Sequence, residues 1–177
     1  MLNAVEPIYN TLFDRIKRAA GSDLITFDRG FWFKDECKND INAFPYAFLD
    51  QPETTRVEGI ASPSLYRYEL HILLVVLTLK GDQSGLFFNQ TLEPQPPGAI
   101  GLVHSIAQQI FDEDIFGMPL APEPVEWAVE QWTLGPMRRP RLTELDDYFK
   151  FTNIAGASVD FIFTIQENGP DPANLGG

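Results

Sequence analysis

The side chains best suited to chemistry in this chain are its two histidines and its single cysteine. His71 and His104 lie 33 residues apart, and together with Cys37 they do not form the ligand spacing of a zinc site. Cys37 follows Asp35 and Glu36, whose negative charges disfavour a reactive thiolate. The sequence therefore predicts neither a metal centre nor a cysteine nucleophile.

The acidic run Asp112, Glu113 and Asp114 is a further candidate cation site. It lacks the spaced oxygen ligands of a calcium loop, so we interpret it as a helix end that continues into a loop. The sequence contains no nucleophile elbow, phosphate-binding loop or dinucleotide-binding glycine pattern. An acidic chain offers many carboxylate pairs for hydrolysis, but nothing singles one out. We predict no catalytic residue, no cofactor and no enzymatic activity.

Composition narrows the class of protein before any element is assigned. The 177 residues carry 13 Lys and Arg against 25 Asp and Glu, a net charge of −12, and 44% are hydrophobic. This length and apolar content predict one folded domain over residues 1–168, followed by a Gly- and Pro-rich tail at 169–177. The negative charge argues against a general nucleic-acid binder. No signal-peptide pattern and no membrane-length apolar run occurs, so we expect synthesis in the cytoplasm and no membrane partner.

Apolar residues at helical spacing predict two helices, over residues 4–19 and 98–112. Gly21 is a plausible stop for the first. The second has a wide apolar stripe, which indicates burial on more than one side. Its stripe consists of Ile100, Leu102, Val103, Ile106, Ala107, Ile110 and Phe111.

Strand patterns occur near residues 30–34, 44–50, 54–60, 65–80, 125–134, 149–153 and 158–167. Pro45 places the second of these at a sheet edge or confines the proline to the beginning of the strand. Taken together, the elements predict an α+β fold, in which two main helices pack on one face of a mostly antiparallel sheet.

The clearest long-range feature is a predicted β-hairpin formed by residues 54–60 and 65–80, with its turn at 61–64. Arg67, Glu69 and His71 alternate with apolar residues, which indicates one exposed face, whereas residues 73–77 are apolar on both faces. We therefore expect a long hairpin that projects from the body at its turn and enters the core at its other end. Tyr66 and Tyr68 share one face of it and are candidate subunit contacts, together with Arg67.

Charge and aromatic residues suggest two further contacts. Residues 81–137 contain eight acids and no Lys or Arg, and Arg138, Arg139 and Arg141 then follow around Pro140. One interpretation is ordinary solvated surface, and the other is head-to-tail pairing, in which the basic turn of one subunit meets the acidic segment of the next. In the run of three aromatics at 31–33, Trp32 faces opposite to its two neighbours on a strand, which makes it a candidate interface residue.

The order of these elements resembles that of phage tail terminator proteins, the ring-forming tail-completion subunits of long-tailed phages. The resemblance is carried by the amphipathic helix at 9–19 with the aromatic strand region after it, by the long strand at 65–79 leading through a loop into the helix at 99–111, and by the closing strands with Gly156 before residues 159–165. It covers about 165 residues as a pattern and includes no short diagnostic motif. The Pro-rich stretch at 113–124 and the turn at 138–141 depart from the family pattern.

The resemblance implies a structural virion protein, a tail terminator that forms a hexameric ring. Such a ring caps the tail tube and joins it to the head-side connector, so the implied partners are copies of this chain, the tail tube protein and a neck protein. The implied location is the virion tail or neck, reached through the host cytoplasm during assembly. Six copies of an acidic chain would present a negative lumen through which DNA passes without specific binding.

Three other functions remain open from the sequence. The chain fits another neck or tail connector subunit, a non-viral protein-docking adaptor that uses its hairpin and aromatic strand, or an enzyme with an acidic site. A ring subunit is expected to assemble with cyclic symmetry, an adaptor to remain monomeric with one apolar patch, and an enzyme to gather carboxylates of shifted pKa in a cleft.

Overall fold

A computed structural model describes residues 4–24, 26–30, 44–57, 65–79, 98–113, 127–138 and 154–168 of the chain. Its elements are α1 (Val5–Ala20), β1 (Thr26–Arg29), β2 (Tyr46–Leu49), β3 (Glu53–Arg56), β4 (Leu65–Leu79), α2 (Ala99–Glu113), β5 (Trp127–Leu134) and β6 (Ile154–Asn168). The strands form one six-stranded sheet in the order β1-β2-β4-β6-β5, and β3 also pairs with β4. All pairs are antiparallel except β1 with β2. The predicted α+β class with a mostly antiparallel sheet is confirmed.

Helix α1 forms where the sequence predicts it, because one apolar residue recurs at every fourth position. Ile8, Leu12 and Ile16 are each fully buried. The helix ends at Gly21, whose φ of 53° suits glycine better than any residue with a Cβ atom. The Gly21 N–H donates to the carbonyl of Lys17 at 3.3 Å, so it satisfies one of the last carbonyls of the helix.

The centre of the sheet is the antiparallel ladder between β4 and β6, which pairs all fifteen residues of each strand. Leu70 lies opposite Phe163, Ile72 opposite Phe161 and Leu74 opposite Val159. All six side chains are buried to 2% exposure or less and belong to one core cluster with apolar residues of α1 and α2. Even-numbered residues of β4 therefore point to the side of the sheet that carries the helices, which we call the helix side.

The opposite side of the sheet, which we call the polar face, changes character along β4. Arg67, Glu69 and His71 are partly exposed, whereas Val75 and Leu77 are fully or almost fully buried. Tyr46 and Phe48 of β2 lie opposite Leu77 and Val75 and are buried with them. One half of β4 is thus covered on both faces, as its continuous apolar run predicts.

Of the predicted strand near 30–34, only Gly30 is among the described residues, and a strand lies just before it. The strand found there is β1, Thr26–Arg29, and Gly30 follows it with a φ of 74°. Residues 31–34 lie outside the described part of the chain. Strand β2 is an interior strand between β1 and β4, and Pro45 immediately precedes it, so the proline takes the beginning of the strand and not a sheet edge.

The end of the chain also differs from the prediction. We expected Gly156 to precede the last strand, but β6 begins at Ile154 and includes Gly156, which pairs with Leu77. Small residues at 155–157 weaken the strand signal of the sequence, and the large apolar side chains of β4 opposite them supply the packing that they lack. The predicted strand at 149–153 and the tail at 169–177 lie outside the described residues.

The structure describes paired strands of the predicted hairpin but not its turn. Glu53 pairs with His71 and Arg56 with Tyr68 in an antiparallel register, while residues 58–64, which include the predicted turn, are not among those described. Strand β3 flanks this end of β4 directly, and β5 pairs with the facing segment of β6. The described part of the hairpin therefore belongs to the body of the sheet, and its projection stays a prediction for the turn. Neither α1 nor α2, the two helices described, has the length and apolarity needed to cross a lipid bilayer.

We predict that Phe163→Ala lowers the free energy of unfolding by about 3–5 kcal/mol, because it empties the most buried part of the ladder. Thr164→Ala on the partly exposed polar face is the matched control, and we expect it to cost about 1 kcal/mol or less. Urea unfolding followed by circular dichroism measures both. Equal losses for the two variants would contradict the assignment of the core.

Candidate subunit interface and polar cleft

The two tyrosines predicted as subunit contacts have different environments, although both point to the helix side. Tyr66 is 45% exposed, whereas Tyr68 is 4% exposed and belongs to the core cluster. The Tyr68 hydroxyl donates a hydrogen bond to Oε2 of Glu167 at 2.9 Å, and Glu167 is itself 3% exposed. Tyr68 therefore offers a partner little surface, and the predicted contact reduces to Tyr66.

Among the described residues, Tyr68 is the group whose pKa the fold shifts most. Burial, the hydrogen bond to Glu167 and the charge of that carboxyl all raise the pKa of Tyr68 well above its usual value of 10.0. Burial also raises the pKa of Tyr9, whose hydroxyl donates to the carbonyl of Leu49 at 2.7 Å. Both shifts result from contacts inside the fold. They make the free energy of unfolding depend on pH in the alkaline range, and they do not mark a reactive site.

Arg67, the third predicted contact on β4, pairs within its own chain. Its Nε lies 2.7 Å from Oε2 of Glu130, which is located at the bulge in β5 between Val129 and Gln131. The two side chains are 41% and 32% exposed, and such pairs contribute about 1 kcal/mol or less. Glu130 belongs to the acidic segment at 81–137, so one of its acids is already matched within the chain.

Of the remaining predicted subunit contacts, one lies among the described residues and three lie outside them. Trp32, Arg139 and Arg141 lie outside the described part of the chain, as does Cys37. Arg138 is described: its backbone forms an isolated bridge with Ser158, through N–H···O bonds of 3.0 and 2.8 Å, and its side chain is exposed. His104 is exposed on α2.

An exposed aromatic pair on the helix side was not singled out by sequence reasoning. Phe111 is 51% exposed, and its ring centroid lies 5.3 Å from that of Trp132 on β5. Trp132 in turn stacks near Phe161 and Phe163, which continue into the core. The assignment of Phe111 to the buried stripe of α2 is therefore wrong. Its position next to Ile110 gave no clear signal, because the consecutive residues Leu102 and Val103 of the same helix are both buried.

The polar face carries a cleft of about 530 Å³, within the usual size range of ligand pockets. The segment 50–53 forms one wall, residues 135–138 form the other, and β4 and β6 form the floor. Its lining residues are Asp50, Gln51, Glu53, His71, Leu73, Gly135, Pro136, Arg138, Asp160 and Ile162. The cleft therefore combines three carboxyl groups with one guanidinium, one imidazole and an apolar floor.

A histidine–carboxyl pair anchors the cleft. Nδ1 of His71 lies 2.8 Å from Oδ2 of Asp160, and Nε2 lies 3.6 Å from Oε2 of Glu69. A carboxyl that orients an imidazole is found in general-base catalysis, in which the imidazole takes a proton from a water, a substrate or a side-chain nucleophile. The contacts of His71 within the described residues are to carboxyl oxygens alone, and the Ser158 hydroxyl donates to the Arg138 carbonyl instead. The pair fixes the positions of two side chains that line the cleft.

The same cleft does not form a metal centre in the described part of the chain. Among those residues, no three His, Cys, Asp or Glu side chains come together in a way that could hold a metal ion. Oδ1 of Asp160 is buried without a hydrogen-bond partner, while Oδ2 is engaged by His71. The carboxyl is thus held by one oxygen and lies at the base of an otherwise open cleft.

Helix α1 is attached to the sheet through an arginine on β1. The guanidinium of Arg29 lies 4.5 Å from the ring centroid of Phe13 and 5.8 Å from that of Tyr9, and it also hydrogen-bonds Asn10. Phe13 stacks on Phe27 of β1 at 4.4 Å. These contacts hold one side of α1 against the sheet, while Lys17 and Arg18 in its last turn are exposed.

No family model matches the chain, and no curated protein is significantly similar to it in sequence.

We predict that Tyr68→Phe changes how stability depends on alkaline pH. Folded Tyr68 keeps its proton at a pH where the unfolded side chain releases it, so its contribution is complete below pH 10 and is lost as the pH rises above that value. Above pH 10, the free energy of unfolding of the parent should fall more steeply than that of the variant, by up to about 1.4 kcal/mol per pH unit. Below pH 10, the variant should be about 1 kcal/mol less stable, because Glu167 loses a donor.

Urea unfolding at a series of pH values tests this expectation. Tyr66→Phe is the matched control, because it removes the hydroxyl of an exposed tyrosine on the same strand. Parallel curves for the parent and Tyr68→Phe above pH 10 would contradict the role given to the buried hydroxyl.

Proposed function

We propose that this chain is a structural virion protein, a tail terminator whose copies assemble into a ring, with six copies the number that the family resemblance implies. In that role the ring caps the tail tube and offers a surface to the head-side connector. The chain acts by binding other proteins, and no catalytic residue, cofactor or metal is part of the proposal. Its working place is the tail or neck of the virion, reached from the host cytoplasm.

The order of elements supports this proposal. The resemblance rests on an amphipathic helix, an aromatic strand region, a long strand, a second helix and closing strands, and the described elements follow that order from α1 to β6. A shared architecture is a weak argument for function, because one fold can serve many functions. The proposal therefore depends more on the surface of the chain than on its topology.

The observation that carries the proposal is the exposure of aromatic side chains at two places on the helix side, which together we call the aromatic surface: Tyr66 on β4, and the pair of Phe111 and Trp132. Tyr66 and Phe111 are 45% and 51% exposed, and Trp132 is partly buried beneath Phe111. Aromatic residues are enriched at the centres of protein contacts because they bury a large area with little loss of side-chain freedom. These side chains are held by a rigid sheet and helix, so a partner meets a preformed surface.

The charge of the chain suits a ring through which DNA passes. Each copy carries a net charge of −12, so a ring of copies repels the phosphate backbone. Repulsion keeps DNA from adhering to the lumen during passage, which is the behaviour expected of a conduit and not of a DNA-binding protein.

Sedimentation velocity over a wide range of protein concentrations tests the proposal. A terminator subunit should form one large species of fixed mass, with no continuous series of aggregates, because a closed ring has no free ends. A chain that stays monomeric at every concentration would contradict the proposal and favour the docking adaptor.

We predict that Phe111→Lys weakens ring formation about thirtyfold while the fold is retained, since it removes an aromatic anchor and adds a charge to the contact. Gln109→Lys is the matched control: it adds the same charge to an exposed position of the same helix. The readout is the concentration at which half of the chain is assembled, with the melting temperature recorded for both variants. An equal effect of the two substitutions would show that charge alone is responsible and would remove the aromatic surface from the contact.

A further inference from the structure

We propose that the polar cleft of one copy receives the basic end of α1, meaning Lys17 and Arg18, from the next copy in the ring. This inference rests on the proposed function, because it names the charged part of the contact between ring subunits. It differs from the pairing of the 138–141 turn with the 81–137 segment that the sequence suggests.

The cleft has the chemistry to accept a cationic side chain. Asp50, Glu53 and Asp160 contribute three carboxyl groups, against the single guanidinium of Arg138. Glu69, beside His71, adds a fourth carboxyl at the margin and is 43% exposed. A lysine or arginine that enters such a cleft exchanges water for several acceptors at once.

The floor of the cleft suits the stem of the same side chain. Leu73 and Ile162 line it between the polar walls. Lysine and arginine carry three or four methylene groups before their charge, and they bury those stems against apolar surface while the charged end meets polar groups. At about 530 Å³, the cleft is wide enough for more than one such side chain.

The basic end of α1 is the complementary surface. Lys17 and Arg18 lie in the last turn of the helix, and both are exposed, whereas Ile16 and Ala20 on either side of them are buried. The core contacts of α1 fix the direction of these two side chains away from the sheet. They are thus presented on a rigid element, which lowers the entropy lost on contact.

The relative placement of the two surfaces determines the symmetry of the contact. Helix α1 packs against even-numbered residues of β4, whereas the cleft is lined by the odd-numbered His71 and Leu73 on the other side of the sheet. A contact between them joins different surfaces of two copies, so it is head-to-tail. Head-to-tail contacts close into rings or extend as filaments and do not produce twofold dimers. The aromatic surface lies on the same helix side as α1, so one side of the subunit supplies both anchors.

The same placement explains why Arg138 is not the donor. Arg138 lines the cleft of its own chain, together with the three carboxyl groups. Replacing it with an acid makes the cleft more negative. The inference therefore predicts opposite effects for two charge reversals that the sequence alone does not distinguish.

Charge reversal in the full-length chain tests the inference, with the concentration at half assembly as readout. Lys17→Glu combined with Arg18→Glu should raise that concentration about a hundredfold, since like charges then face each other across the contact. Asp50→Lys combined with Glu53→Lys should do the same. The chain that carries all four substitutions should reach half assembly at a concentration at least tenfold lower than either double variant, because attraction is restored with the signs exchanged.

Arg138→Glu is the matched control and should leave assembly at least as strong as in the parent. Melting temperatures of all variants separate a lost contact from a lost fold. If the parent forms rings and the α1 reversal leaves them unchanged, or if the four substitutions fail to recover assembly, the inference is wrong and the proposed function stands. If Arg138→Glu abolishes assembly, the donor is the 138–141 turn. A parent chain that never assembles overturns both the inference and the proposed function.

Discussion

The full-length pairing of β4 with β6 is the constraint on which the rest of the structure depends. Fifteen paired residues fix the alternation of both strands at once, so a slip of one residue would move every core side chain to the other face. With the register set, Phe161 and Phe163 face the helices, and Asp160 and Ile162 face the cleft. That alternation determines which face of the sheet meets the two helices and which face carries the cleft.

The two sides of this sheet have different chemistry, and the proposed assembly uses the difference. The helix side holds the core, the exposed aromatic surface and the basic end of α1, whereas the polar face holds carboxyl groups around His71. A subunit with unlike sides is suited to head-to-tail contacts, in which each copy offers a different surface to each neighbour. In the proposed assembly the aromatic anchors supply most of the affinity, and the charged contact selects the partner and the register.

The sequence predicts the elements well where periodicity is strong. Ile8, Leu12 and Ile16 recur at helical spacing and define α1, and the alternation along β4 predicts which half of that strand is exposed. It misplaces elements whose strand character depends on a distant partner, such as the segment around Gly156, where the packing comes from Leu77 opposite.

The cleft was harder to predict from the sequence, because strand register brings its residues together and no short motif marks them. His71 and Asp160 are 89 residues apart, and only the β4–β6 ladder brings them to 2.8 Å. The exposure of Phe111 and the burial of Tyr68 likewise depend on tertiary packing. The predicted contacts at Trp32, Arg139 and Arg141 remain predictions.

Electron microscopy of the purified, assembled chain tests the proposed head-to-tail assembly, since averaged images reveal the symmetry of the particle. We expect closed rings with a central opening and rotational symmetry, in which the helix side of each copy meets the polar face of the next. Particles with only a twofold axis would contradict it, because they require the same surface on both copies. Fields of single compact subunits at high concentration would contradict it as well.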